Sequence, residues 1–204
     1  MTVNLILASA SPRRRELLAQ LGLSFSIKPS NADETLLETA PEAAVKELAL
    51  RKARSVADQV DRALIIGADT LVVCEGEMLG KPQDEADAMS MLMRLQGRAH
   101  QVISGIALVE VSNGEIIRSE VEARKTDVWM LPLSEEQIEW YIQTGEPLDK
   151  AGAYGIQGIG ASFIDKIEGC YFNVVGLSLS LLTQMLGRMG YHINDFVTGK
   201  CSST

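Results

Sequence analysis

The residues from Val3 to Ala8 form a nearly continuous apolar run, followed without a break by Ser9-Ala10-Ser11-Pro12 and then by a helical pattern. An apolar strand that does not alternate must be covered on both faces, the condition of an interior strand in a sheet flanked by helices. Ser11 stands where its hydroxyl can accept from the first unpaired N–H groups of the helix, and Pro12 suits the first helical position. Leu17, Leu18 and Leu21 make one apolar stripe, and Gly22 stops the helix. This opening of strand, turn and helix restricts the chain to an α/β arrangement, with which every later segment has to be compatible.

The later segments are compatible. Phe25 to Lys28 reads as a short second strand, and an acidic loop from Asn31 to Thr39 leads to a long helix starting near Pro41 with Val45, Leu48, Ala49, Ala53 and Val56 on its buried face. Ala63 to Ile66 is a buried strand ending at Gly67-Ala68-Asp69-Thr70. Leu71 to Cys74 and Met78 to Leu79 then flank Glu75-Gly76-Glu77 as a hairpin. Asp84 to Leu95 has helical spacing before Gly97, and Gln101 to Val111 and Glu115 to Met130 are long strands around Asn113-Gly114. Ser134 and Gln137 form a capping box at the start of a helix to Gln143. Gly145 to Gly160, with five glycines, reads as loop, Phe163 to Ile167 as a strand, and Val174 to Met189 as one final helix. The expectation is a long mixed twisted sheet flanked by helices, in two lobes with a central cleft. Residues 1–191 form a single domain, and the tail 192–204 is loosely attached.

Composition narrows the function. The chain has 204 residues, 46% of them apolar, enough for a sizeable core. Lysine and arginine number 19 against 27 acidic residues, a net charge of −8, which argues against nucleic-acid and anionic-membrane binding and requires any anionic substrate to find a local basic pocket. The three cysteines, Cys74, Cys170 and Cys201, are widely spaced and form no CxxC pair, which fits packing residues in a reducing compartment. The apolar N-terminus lacks a basic leader, so the location expected is cytoplasmic.

Ser9 to Arg15 puts small residues at the end of a strand and three arginines on the next helical turn, the makings of an anion cradle, though consecutive helical residues cannot all face one way. Asp69, read as ending its strand, sits where open α/β sheets place functional groups. It can hold a hard metal ion, orient a water, or simply cap a turn. Arg13, Lys52 and Lys81 gathered beside Asp69, with Glu34 in the acidic loop, would suit a polyphosphate with its Mg²⁺ or Mn²⁺. Two histidines, His100 and His192, are too few for a histidine-rich zinc centre. Gln157, in the glycine-rich stretch, can both donate and accept, as reading a nucleobase edge requires.

The segments LILASASPRRRELL at the start, IIGADTLV around Asp69, GKP at 80–82 and DKAGAYGIQGIGASFIDKIEG from Asp149 resemble the Maf family of nucleotide pyrophosphatases, and within it the dTTP/UTP pyrophosphatase branch. The resemblance covers about residues 3–188. It implies a Maf/ITPase-like α/β fold, hydrolysis of a nucleoside triphosphate between the α and β phosphates, a divalent metal and a homodimer. Asp69 matches the proposed general base, Arg13, Thr70 and Gln157 match positions associated with pyrimidine specificity, and Ser9, Glu34, Lys52 and Lys81 match residues lining the phosphate and metal site; Asp69 and Glu34 are the candidate metal ligands. A sister branch acting on 7-methyl-GTP carries glutamine and glutamate at the positions of Thr70 and Gln157. Arg51 departs from a frequent glutamate, Ser104 from a frequent threonine and Ser178 from a frequent proline. The alternatives are a Maf-type pyrophosphatase of other specificity such as 7-methyl-GTP, a nucleotidyltransferase, whose opening motif is distantly similar, and a nucleotide-binding regulator of cell division and septum formation.

Overall fold

In the computed structural model, which describes residues 3–35, 37 and 40–197, one long strand organises everything else. β3 (Arg62–Cys74) runs unbroken for 13 residues and is buried along nearly all of them. Across one side it pairs antiparallel with β5 (Ala99–Ser112), which returns as β6 (Glu115–Met130) through a tight turn with Asn113 and Gly114 both at positive φ. On its other side β1 (Leu5–Leu7) lies parallel to residues 64–66, with β2 (Ser26–Ile27) beyond it, while β4 (Glu77–Leu79) pairs antiparallel with residues 72–74. β7 (Ile164–Glu168) closes the far edge, so the order is β2-β1-β3-β5-β6-β7.

Asp69 is therefore not at a strand end. It lies in the middle of β3, in the stretch 67–71 that neither β1 nor β4 covers, so the sheet has a gap in its interior edge where an ordinary open sheet would have only its carboxyl rim. Gly67 misled the sequence reading: it is no turn but a point of close approach. A Cβ there would stand 2.1 Å from the Ala49 carbonyl oxygen of α2 (Pro41–Ala57), and one at Gly105, the partner of Asp69 across the ladder, 2.3 Å from that of Val45. The two glycines let α2 lie almost against the backbone of the sheet.

α2 spans one face, over Ile6, Ala8, Ile65, Ala107 and Val109 at one end and Leu71, Val73 and Ile103 at the other. The opposite face carries two separate cores. α1 (Pro12–Gln20), α5 (Tyr171–Val175) and α6 (Leu179–Arg188) enclose Leu7, Leu64, Ile66, Leu108 and Met185, while α3 (Glu85–Leu95) and α4 (Glu135–Gln143) enclose Val72, Leu92, Val102 and Ile138. Each alternate residue of β3 thus belongs to one lobe up to Ala68 and to the other from Val72, with Thr70 left between them.

Three local expectations change. The final helix is two, because Gly176 at φ 127° breaks the chain and Leu177 and Ser178 run between α5 and α6. Phe163 belongs to a 3-10 turn, and the glycine-rich stretch is built from 3-10 turns at Glu146–Asp149, Ala151–Ala153 and Ile159–Phe163. The tail docks as far as Val197: Phe196 is buried in the first lobe and Val197 bridges Leu23, because an apolar aromatic gains more from the core than the tail loses in freedom. Residues 198–204, Cys201 among them, and Leu36, Glu38 and Thr39 of the acidic loop lie outside the described residues. Among the described residues no helix is long and apolar enough to cross a membrane.

Candidate active site

A cleft of about 580 Å³ opens at the gap in the sheet and is lined from both faces and both lobes. Its size lies in the range of small-molecule sites. Every residue singled out from the sequence lines it: Ser9, Arg13, Glu34, Lys52, Asp69, Thr70, Lys81 and Gln157.

Asp69 and Thr70 are consecutive on a strand, so their side chains leave opposite faces of the sheet. Asp69 points under α2, where Lys52, in the last third of that helix, donates to its Oδ1 at 2.6 Å and to Glu34 Oε1 at 2.8 Å. Lys52 and Asp69 are both buried, while Glu34 is half exposed. An ammonium held between two carboxylates ties them together and fixes their separation. Burial raises the proton affinity of Glu34, but the Lys52 ammonium outweighs it and holds the carboxyl below the usual range. Arg51, one residue along α2, donates to the carbonyls of Asp33 at 2.7 Å and Thr35 at 3.0 Å, gripping the acidic loop on both sides of Glu34, and pairs with Glu47 behind it. The departure from glutamate at this position thus has a structural role, which only the folded loop makes visible.

On the other face Arg14, not Arg13, turns inward. It is buried, donating from Nε to the Gly176 carbonyl at 2.9 Å, from Nη1 to Ser9 Oγ at 3.3 Å and from Nη2 to Thr70 Oγ1 at 3.1 Å. Burial lowers its proton affinity while Asp69 raises it, yet among the described residues no carboxylate is in contact with this guanidinium. A buried cation without a counter-ion is a site for an anion. Arg13 stands at the cleft mouth and reaches across to Asp149 Oδ2 at 2.9 Å, joining the lobes, and Arg15 faces solvent. The sequence pattern placed Arg13 with Lys52 and Lys81 beside Asp69, whereas the fold gives that inward position to Arg14 and leaves Arg13 on Asp149. Pro12 at the helix start and the stripe Leu17 and Leu18 set the phase, and that phase was the available signal.

Lys81 is exposed at the rim and makes no ion pair among the described residues. Lys150 adds a further cation, bonded to Asp149 Oδ1 at 2.7 Å. The glycine-rich loop beneath Gln157 is held by Glu146, which accepts from the N–H groups of Ile159 and Gly160 at 2.9 Å each and from the Tyr141 hydroxyl at 2.9 Å. Burial, rather than its many hydrogen bonds, opposes ionisation of Glu146, and those bonds win, lowering its pKa. Tyr154 floors the cleft, its hydroxyl 2.6 Å from His100 Nε2. Burial, which disfavours the charged ring, pushes that imidazole down to about 4, and its Nδ1 has no hydrogen-bond partner among the described residues. Neither Glu146 nor the His100–Tyr154 pair was recognisable from the sequence.

With Lys52 on Oδ1 and Oε1, the second oxygens of Asp69 and Glu34 accept nothing from the described residues. Two hard oxygen donors suit Mg²⁺ or Mn²⁺. Among the described residues no group of three or more acidic, histidine or cysteine side chains would hold an ion unaided, so the fit is to an ion that shares its coordination with phosphate oxygens. The arrangement as a whole can bind a polyanion between lobes and present a carboxylate to a water beside it.

A family model described as "Maf-like protein" matches residues 4–189. The chain is 54% identical over 190 residues to the dTTP/UTP pyrophosphatase of Moorella thermoacetica, covering 93% of this chain and 96% of that protein. It is 52% identical over 190 residues to the dTTP/UTP pyrophosphatase of Symbiobacterium thermophilum, with 93% and 95% covered. A solved structure of the Staphylococcus aureus Ham1 protein superposes with a TM-score of 0.47 at 13% identity, covering 95% of this chain and 93% of that one.

Proposed function

The chain belongs to the family of Maf-like proteins, and from that premise we propose the following reading of its cleft. The protein is a nucleoside triphosphate pyrophosphatase that hydrolyses dTTP and UTP to the nucleoside monophosphate and pyrophosphate. The relatives carrying that name align over nearly their whole length. The observation that carries the reading in this molecule is the cleft at the interior gap of the sheet, where the Lys52-bridged Asp69 and Glu34 face the unpaired Arg14 guanidinium.

Water attacks the α phosphorus, the bond from that phosphorus to the α–β bridging oxygen breaks, and pyrophosphate departs with the bond's electrons. With Oδ1 tied to Lys52, Oδ2 of Asp69 is the atom left to accept a hydrogen of the attacking water and aim its lone pair. Arg14, Lys52 and Lys81 offset charge on the phosphates, and Arg13 closes the mouth by way of Asp149. Asp69 and Glu34 would be the residues to hold a Mg²⁺ or Mn²⁺ ion, which when bound would supply Lewis-acid polarisation and further charge neutralisation. Gln157 reads the base beside Thr70. A cytoplasmic, homodimeric enzyme that clears pyrimidine triphosphates completes the proposal.

The test is pyrophosphate release from dTTP, UTP, CTP, GTP, ITP and 7-methyl-GTP with Mg²⁺, with Mn²⁺ and with chelator. Metal-dependent turnover favouring dTTP and UTP is expected. Preference for 7-methyl-GTP would retain the chemistry and discard the roles of Thr70 and Gln157, and tight binding without turnover would put the regulator reading in its place.

A further inference from the structure

We infer that Ser104 is a specificity-determining positioning residue: it fixes the direction of the Thr70 hydroxyl proton, so that Thr70 faces the cleft only as a hydrogen-bond acceptor and selects pyrimidines with an N–H at ring position 3. This rests on the reading of the cleft as a pyrimidine triphosphate site.

Ser104, fully buried on β5 opposite Thr70, has its Oγ 3.0 Å from the main-chain carbonyl of Asn173 in α5 and 2.8 Å from Thr70 Oγ1. A carbonyl only accepts, so the single Ser104 proton goes to Asn173, and Ser104 in turn accepts the proton of Thr70. Arg14 Nη2, 3.1 Å from Thr70 Oγ1, has no lone pair and can only donate, which occupies one of the two acceptor positions on that oxygen. One acceptor position is left, and Thr70 lines the cleft.

An oxygen with its proton already committed cannot donate to a phosphate, whose free oxygens are all acceptors, so Thr70 serves the base rather than the triphosphate. Uracil and thymine carry N3–H, a donor that fits. Cytosine presents a bare N3 lone pair, which meets the Thr70 lone pair and leaves both unsatisfied. Gln157 cannot make this distinction by itself, since among the described residues nothing holds its amide and it can turn either end to the base. The discriminating atom is the one whose proton the fold has locked, and the lock runs from α1 through β3 and β5 to α5.

The experiment measures kcat/KM for UTP and CTP in the parent enzyme, in Ser104→Ala and in Ser104→Thr. Loss of the Ser104 hydroxyl frees the Thr70 proton to turn toward the cleft, and the UTP-to-CTP ratio is expected to fall roughly ten-fold. Ser104→Thr restores a hydroxyl and should restore the ratio, which a merely structural role would not require. Parent enzyme assayed with 3-methyl-UTP needs no variant to fold and should lose most of its turnover. A folded Ser104→Ala protein with the parent's ratio, a parent that treats UTP and CTP alike, or undiminished turnover of 3-methyl-UTP overturns the inference while leaving the pyrophosphatase reading intact. Pyrophosphate release from neither UTP nor CTP by the parent refutes that reading, and the inference with it.

Discussion

Asp69 and Thr70 are neighbours on β3, yet the surroundings the two faces of the sheet give them have little in common. On the α2 face Asp69 lies in a charged cluster, Lys52 between it and Glu34, with one partner carried on a loop that Arg51 grips by its main chain. On the other face Thr70 accepts from the buried Arg14 guanidinium and joins Ser104 in a chain of hydroxyls that ends on a backbone carbonyl, at the boundary between two apolar cores, with no carboxylate among the described residues in contact with that cation. Charges act over several ångströms and tolerate a partner that shifts, which suits moving a proton and binding phosphates and metal. Neutral hydrogen bonds lose their worth with small errors of angle, so the group that compares one base with another needs a fully buried support. The difference teaches that chemistry and recognition can be separated by a single peptide bond when a strand passes through a gap in its own sheet.

The strongest way to break this comparison is Asp69→Asn. It removes the carboxylate and leaves the Thr70 side untouched, so kcat should fall by roughly two orders of magnitude or more while nucleotide binding survives. Retained turnover would move the chemistry off the α2 face. Gly105→Ala attacks the support of that face: the added methyl meets the Val45 carbonyl, and denaturant melts should show a loss of about 3 kcal/mol, with little room for relief because the obstacle is backbone. An unchanged melt would mean that α2 is not seated as closely as described.

A third prediction concerns the support beneath Tyr154. The His100 pKa in the folded protein, about 4, lies below the ordinary 6.5, so the imidazole is neutral in the fold and the unfolded chain takes up the proton first. The contribution of this group is complete above pH 6.5 and is lost as pH falls toward 4, by on the order of 3 kcal/mol. Urea melts of the parent and of His100→Gln across that window isolate the effect, since the variant lacks it. Parallel curves would count against the buried pair. The smallest effect is expected of Arg51→Ala, which loosens the loop carrying Glu34: KM for UTP should rise about three-fold with the UTP-to-CTP ratio unchanged. A changed ratio would show that the two faces are coupled after all.

Much of the fold was legible because its signals are local. The Ser11 cap with Pro12, the capping box of Ser134 and Gln137, and the Asn113-Gly114 turn all stand as the sequence predicts, each determined by hydrogen bonds within a few residues. The site was legible as a set of residues, since all those expected line one cleft. Its arrangement was not. Asp69 looked like the end of a strand because Gly67 is ordinarily a breaker, and the final helix looked continuous because its apolar spacing runs across Gly176. Arg14 and Arg13 are chemically identical in sequence, and the helix phase that separates them is set by packing against Leu17 and Leu18.

The sequence by itself determined the α/β class, the order of most elements, the acidic loop and the gathering of cations around a single aspartate, because propensity, capping and periodicity act over one or two turns of chain. Only the tertiary structure decided that β3 runs through Asp69 with neither β1 nor β4 beside it, that Arg14 is the buried cation, and that Thr70 is tied through Ser104 to the Asn173 carbonyl. Each of these depends on what lies across the sheet, and Ser104 and Asn173 stand 34 and 103 positions from Thr70 in the chain. A hydrogen bond's direction is set by the whole chain of partners to which it belongs, and no local pattern carries that information.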